Sequence, residues 1–349
     1  MPNAPVLELP VVAADAPNDP PLRTGSELIA ATRPFAREIR FLSWFHLCST
    51  LVIIGALLTT AALMPWWQLR LLFSVLGAGV MVRGFILFHD YMHGAIFRKS
   101  KVAGGILRLY GLIFMTPPKY WRDTHNFHHA NVSTIEGSST GSFPIMTVEM
   151  YHKATRMQRI HYHVARHPLT YLFAYLTVFL FSNALEPFLR NPVKSWHTGA
   201  AILIHGGLIA LLWWAGGPMT AFYAFVLPYA LASALGAYMF YAQHNFQGMK
   251  MLKPEEWSVP EASLKCSSWM KLNPLLDWMT GSIGFHHVHH LNATIPFYRL
   301  KEAMRGIPEL QHPPITTLNP LDVWRCLRLK VWDEKQQRML TFREARRAA

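Results

Sequence analysis

The sequence predicts an all-α membrane protein: four transmembrane helices in two hairpins, interfacial helices, and a cytoplasmic helical cap bearing clustered histidines. Three observations carry this expectation. Only 15% of the 349 residues are charged, while 51% are hydrophobic and 13% aromatic; a soluble domain has about 25% charged residues. Four stretches are long and apolar enough to span a bilayer as helix, which takes roughly 20 residues. The 33 Lys and Arg against 20 Asp and Glu leave a formal net charge of +13, and the basic residues avoid the tips that join the spans.

Taken in order, residues 1–40 form a polar, Pro-rich N-terminal segment. It lacks the basic-then-apolar order of a signal peptide, so the first apolar stretch reads as a retained anchor. Residues 41–88 make the first transmembrane hairpin, with spans at about Phe41–Met64 and Leu71–Phe88 joined through Pro65-Trp66-Trp67-Gln68-Leu69-Arg70. Residues 89–198 follow as a cytoplasmic and interfacial region. Residues 199–243 make the second hairpin, about Gly199–Ala215 and Met219–Ala242, turned at Gly216-Gly217-Pro218. Residues 244–349 are polar with helical patches and form the cytoplasmic cap. The tips carry Arg70 as their one basic residue, so the remaining segments are cytoplasmic by the positive-inside rule. Leu169–Leu189 is also apolar enough to cross, but a crossing would put Arg190 and Lys194 outside and the last histidine cluster on the wrong face. Ser182, Asn183 and Glu186 suit a segment lying along or dipping into the cytoplasmic face. Ile106–Met115 is too short to cross and is read as interfacial.

The histidines carry the chemistry. Eight of them fall into His89-x3-His93, His125-x2-His128-His129 and His286-x2-His289-His290. Positions i, i+3 and i+4 share one face of a helix, so each cluster aims its imidazoles together. Neutral imidazole is the commonest protein metal ligand, and eight exceed one ion's needs, which points to a di-metal site. His244 emerges with the fourth span at the depth of His89 and makes a ninth candidate. Asp90, beside a ligand, is placed to accept a proton from the free ring nitrogen of another ligand. Arg83 lies about 9 Å of helix rise before His89, where a buried charge is costly and usually functional; snorkelling to the interface is the alternative. His152, His161, His163, His167, His197 and His205 read as satisfied polar residues. Cys48, Cys266 and Cys326 form neither a disulfide framework nor a thiolate site. An all-nitrogen donor set suits zinc, copper, iron or nickel. No H-E-x2-H string supports a zinc protease, no cysteine in the clusters supports a copper redox site, and iron with open positions suits dioxygen activation in a membrane full of C–H bonds.

These boxes resemble those of the integral-membrane fatty acid desaturases, and most of all the bacterial acyl-lipid omega-6 (delta-12 type) enzymes. Supporting strings are Arg83-Gly84-Phe85 before His89-Asp90, Gln243-His244-Asn245-Phe246, Gly284-Phe285-His286-His287-Val288-His289-His290-Leu291-Asn292 and Ile295-Pro296-Phe297-Tyr298-Arg299-Leu300. The likeness covers roughly residues 35–345. It implies two iron ions held by His89, His93, His125, His128, His129, His244, His286, His289 and His290, with His287 as a spacer. It also implies dioxygen as oxidant, a membrane lipid acyl chain as substrate, and a site on the cytoplasmic side of a bacterial inner membrane. Asp90, Arg83 and Asn292 are expected to support the ligands. The family's first box often reads H-D-C-G-H, whereas Tyr91 and Met92 stand here, and these bulkier side chains are expected to reshape the acyl tunnel. Trp121, Phe127, Phe285 and the fourth span's aromatics are candidates to line it.

No haem, flavin or iron–sulfur string is present, so the two electrons per turnover call for a separate, ferredoxin-like donor. The basic cytoplasmic surface fits an acidic one. Nothing points to nucleic acid. Lipid, alkane and carotenoid oxygenases share histidine-box sites, and the residues alone do not separate desaturation from hydroxylation; the resemblance favours desaturation. A metal transporter would place its ligands near mid-bilayer on broken helices, where this chain offers only His205 and Arg83.

Overall fold

The computed structural model describes residues 22–348, so residues 1–21 of the expected N-terminal segment lie outside the described part. Helix α1 (Gly25–Thr32) precedes α2 (Arg40–Leu63) and α3 (Trp67–His93). At 1.5 Å per residue α2 and α3 run about 36 and 40 Å, longer than the roughly 30 Å hydrocarbon core. Pro65 forces the turn between them, because the residue before a proline is driven to extended backbone, and Met64 has ψ 136. The helix α3 continues past the expected end of the span and carries the first box in its last turn. Gly94 stops it in the left-handed region (φ 70), which glycine adopts without strain.

Among the described residues, three helices are long and apolar enough to cross a membrane: α2, α3 and the 48-residue run Trp196–Gln243. That third helix is not straight. Gly217 (φ 80, ψ 177) breaks it, and the rings of His205 and Tyr229 lie 4.8 Å apart although a straight helix between them would be about 36 Å long. The run therefore folds back on itself, and its start and end adjoin the same face of the bundle.

The segment Leu169–Leu189 is broken into a short helix at Pro168–Leu172, a π-helical stretch at Tyr175–Leu185 and a turn of helix at Glu186–Arg190. Tyr171 packs 4.3 Å from Tyr241, Tyr175 reaches Tyr229 at 4.7 Å, and Phe188 meets Gly199. Both ends of the segment thus lie at the histidine end of the bundle. Helix α4 (Lys101–Ile113) is amphipathic, burying Ala103, Gly104, Leu107 and Gly111. Helix α5 (Pro118–Asn131) begins at a Pro-Pro step and carries the second box.

The expectation of an all-α chain needs one correction: the chain is mostly helical with a few short strands. Met146–Thr147 pairs in parallel with Val331–Asp333, which pairs antiparallel with Arg338–Leu340, and Trp269–Met270 pairs in parallel with Ile315–Thr316. Strands of two or three residues are too short for an alternating pattern to register in sequence. They tie Met146–Thr147 of the preceding region to the end of the cap and close the cap on itself. The N-terminal segment also belongs to the cap from Arg23 onward. The Arg23 guanidinium grips Glu309 at 2.8 Å and Leu28 is 1% exposed.

Candidate metal centre

The nine predicted ligands converge on two adjacent groups. His89, His93, His125, His129 and His289 form one; His128, His244, His286 and His290 form the other. Within each group the ligand atoms lie within 4.8 Å of one another. The boxes that share a helical face do not each stay within one group. In the second box, His125 and His129 enter the five-histidine group while His128 enters the four-histidine group. The third box mirrors this, sending His286 and His290 to the four-histidine group and His289 to the other. The H-x2-H-H spacing thus works as a divider: the i, i+4 pair serves one group and the ring at i+3 reaches the neighbouring one. The groups touch where His129 and His290 stack with ring centroids 4.2 Å apart.

The donor atoms fit metal ions. Nε2 of His244 stands 3.1 Å from Nε2 of His128 and 2.8 Å from Nε2 of His286, while His290 and His286 approach to 3.1 Å. In the other group, Nε2 of His129 lies 3.2 Å from His125 and 3.1 Å from His289. Ligands bound at about 2.1 Å to one ion and at right angles to each other are about 3 Å apart. His244 Nδ1 donates to the Cys266 carbonyl at 3.1 Å, so its Nε2 presents a bare lone pair to the cluster. Burial and the neighbouring rings push His125, His128, His129, His286, His289 and His290 well below the ordinary imidazole range, and burial takes His244 down to about 4. Neutral rings with converging lone pairs repel one another unless a cation sits among them. Among the described residues no cysteine or carboxylate joins either group, so the set is all nitrogen.

The supporting residues divide. Asp90, 1% exposed, accepts from His89 Nδ1 at 3.0 Å through one oxygen and from the Phe297 N–H at 2.7 Å through the other. Its partner is therefore the adjacent His89, not a more distant histidine of the boxes. Arg83 does not snorkel. It is 3% exposed and donates to Thr50 and to the Trp278 carbonyl, with Nδ1 of His46 at 3.0 Å from its other nitrogen. Its guanidinium lies 5.1 Å from the Phe297 ring, so it braces the residue that holds Asp90. Asn292 binds Thr32 at 2.8 Å and accepts from Thr294, fastening α1 to the third box and making no hydrogen bond to a ligand. His287 turns away, with Nε2 3.1 Å from the Leu310 carbonyl.

A cavity of about 650 Å³ opens onto both groups. His89 and His125 from one group and His286 from the other line it, with Phe85, Ile86, Trp121, Phe240 and Gly236. Trp121 lines it as expected and stacks on His125 at 4.4 Å. Phe127 is 41% exposed, and Phe285 stacks on Trp269 outside the cavity lining. Tyr91 and Met92 do not line it either. The Tyr91 hydroxyl lies against Gly104 of α4, which has no Cβ to obstruct it. Phe240, 4.9 Å from the His128 ring and 5.4 Å from that of His244, stands one helical turn before His244, a spacing that marks it for the same face.

Apart from His197, the remaining histidines are satisfied locally or left at the surface. Nδ1 of His205 is 2.7 Å from the Ile113 carbonyl and its Nε2 is 2.9 Å from the Tyr175 hydroxyl. His152 reaches the Ala345 carbonyl and His163 the Tyr151 hydroxyl. His197 Nε2 is buried with no hydrogen-bond partner.

Apolar helices long enough to cross a bilayer, capped at one end by two all-histidine groups beside a deep cavity, define a membrane-associated protein with a metal site built for chemistry on an apolar substrate. Residues 65–318 match the family model described as fatty acid desaturase. The chain is 30% identical over 287 residues to a fatty acid desaturase of Bacillus subtilis, covering 79% of this chain and 78% of that one. It is 23% identical to an sn-1 acyl-lipid omega-3 desaturase (ferredoxin) of Nostoc, over 76% of this chain and 74% of the relative. A protein of the same name from Synechocystis is 21% identical over 77% of this chain and 75% of its own length. The chain belongs to the fatty acid desaturase family and is an oxidoreductase of that type.

Proposed function

We propose that the protein desaturates the acyl chains of membrane lipids with two iron ions, dioxygen and two electrons from a separate donor. The observation that carries this reading is one deep, largely apolar cavity that opens onto both histidine groups at once. The five-histidine group would hold one iron and the four-histidine group the other. Redox-inert zinc does not serve such chemistry, whereas iron with all-nitrogen ligation does. What two such ions supply when bound is the four-electron reduction of dioxygen to two waters, two electrons coming from the acyl chain and two from the donor.

The chain's own residues supply position and dryness. Phe85, Ile86, Trp121 and Phe240 wall the cavity against water beside His89, His125 and His286, so one C–C bond of a threaded chain is held against the metal groups. The carboxylate of Asp90 fixes the His89 tautomer, leaving its Nε2 free to ligate. Each turnover removes one hydrogen from each of two adjacent methylenes and leaves a cis double bond.

The reading places α2, α3 and the two arms of Trp196–Gln243 as four crossings, with the basic histidine end in the cytoplasm of a cell membrane. A ferredoxin-like donor agrees with the names of the Nostoc and Synechocystis relatives and with the +13 formal charge, since charge complementarity speeds docking of an acidic partner. The test is a fatty-acid methyl ester profile with double-bond localisation, from a host that makes only monounsaturated lipids. A new diene with the wild-type chain, absent with His128→Ala, is expected. Hydroxylated or unchanged chains, with the protein folded and a donor present, would sink the reading.

A further inference from the structure

The helix Arg156–Ala165 shows solvent the kind of surface that a globular helix hides. Met157, Ile160 and Val164 are 60%, 44% and 59% exposed, and their i, i+3, i+7 spacing sets them in one stripe. The stripe is not a core left unfinished, because the opposite face is already packed. Tyr162 is 2% exposed, accepts from the Met146 N–H at 3.0 Å and donates to the Lys330 carbonyl. Thr155 and Gln158 close a capping box at the helix start, which holds the stripe in register. Arg156 and Arg159 flank the apolar residues, and the helix contains no acidic side chain. The apolar surface then runs on through Leu169 and Leu172, 50% and 60% exposed, into the segment packed beside the transmembrane arm at Tyr241. A basic helix with an exposed apolar stripe, continuous with membrane-spanning surface, has the composition of one lying in the headgroup layer. It also stands at the lip of the cavity, which Ala165 and Thr170 help to line.

We propose that helix Arg156–Ala165 is a half-embedded docking surface for anionic lipid headgroups, beside which acyl chains pass sideways from the leaflet into the cavity. What the cavity takes rests on the desaturase reading; the lipid contact does not, and it is measured without catalysis. Single cysteines placed along 156–165 in a Cys48→Ser background carry nitroxide labels, with the full chain in nanodiscs of phosphatidylcholine alone or mixed with phosphatidylglycerol. Collision with oxygen reports immersion, and collision with a water-soluble nickel chelate reports exposure. Labels at Met157→Cys, Ile160→Cys and Val164→Cys are expected to favour oxygen while Gln158→Cys favours nickel, most strongly in the anionic discs. Arg156→Gln and Arg159→Gln should each lower the immersed-to-exposed ratio about fivefold there, the equivalent of about 1 kcal/mol per cation near an anionic surface. Nickel access at the stripe equal to that at Gln158→Cys overturns the proposal. Protection from both colliders also overturns it, since a protein partner or a second copy would then cover the helix. An immersed stripe in a chain that makes no new double bond would refute the desaturase reading and leave the lipid contact standing.

Discussion

Asp90→Asn isolates one support of the metal centre. The carboxylate meets two demands at once, accepting from His89 Nδ1 at 3.0 Å and from the Phe297 N–H at 2.7 Å, inside a site where Asp90 is 1% exposed. Asparagine has nearly the same shape but one acceptor oxygen, so one of the two N–H groups must face an NH2 group. If Phe297 keeps the oxygen, His89 loses the partner that fixes its tautomer and its Nε2 becomes a poorer donor. Removing such an outer partner costs roughly 10- to 100-fold in metal affinity, or about 1.4–2.7 kcal/mol. The assay is competition for bound metal with a chelator of known affinity, followed by elemental analysis of the purified protein. His287→Ala serves as control, because that ring points to Leu310 and away from both groups. Wild-type affinity in Asp90→Asn, with folding intact, would refute the argument that Asp90 orients His89.

Three further outcomes are expected. His287→Ala should keep metal and activity but lower the thermal midpoint, because it hollows a site 0% exposed and strips the Leu310 carbonyl of its partner; the cost is about 1–3 kcal/mol. Loss of metal in that variant would move His287 into the ligand set. Gly236 lines the cavity, and a Cβ built there meets nothing within 4 Å. Gly236→Phe should therefore shorten the space for the acyl chain and shift the product profile toward shorter substrates, whereas an unchanged profile would show that the chain runs elsewhere. Lys330 is 6% exposed and bonded to the Arg166 carbonyl, and its pKa falls to about 7, first through burial and then through the Arg166 charge. Between pH 7 and the unfolded value of 10.5 the unfolded chain binds the extra proton, so stability rises with pH across that window, by at most about 1.4 kcal/mol per unit. Lys330→Met should lack this slope, and its advantage in thermal midpoint over the wild type should shrink from pH 7 to pH 10. Parallel pH profiles for the two proteins would contradict a neutral buried amine.

Much of the site was legible because its information is local. A run of apolar residues has the length of a bilayer whatever surrounds it, and H-x3-H or H-x2-H-H on a helix puts imidazoles on one side. The eight clustered histidines and the turn at Gly217 were readable on those grounds, while His244 was singled out by its place at the end of the fourth span and the spacer role of His287 came from the family resemblance. The assignment of rings to groups was not. His128 leaves its neighbours His125 and His129 for a different group, and His289 leaves His286 and His290, because each ring's destination depends on how α3, α5 and the third box cross. The same holds for Asp90 finding its own neighbour, for Arg83 bracing Phe297, and for Tyr91 pointing into the gap at Gly104 away from the cavity. Spacing along a chain sets the face of a helix on which a side chain stands. Only the packing of that helix against others distant in sequence sets what the face meets, and such contacts leave no periodic trace in a single sequence.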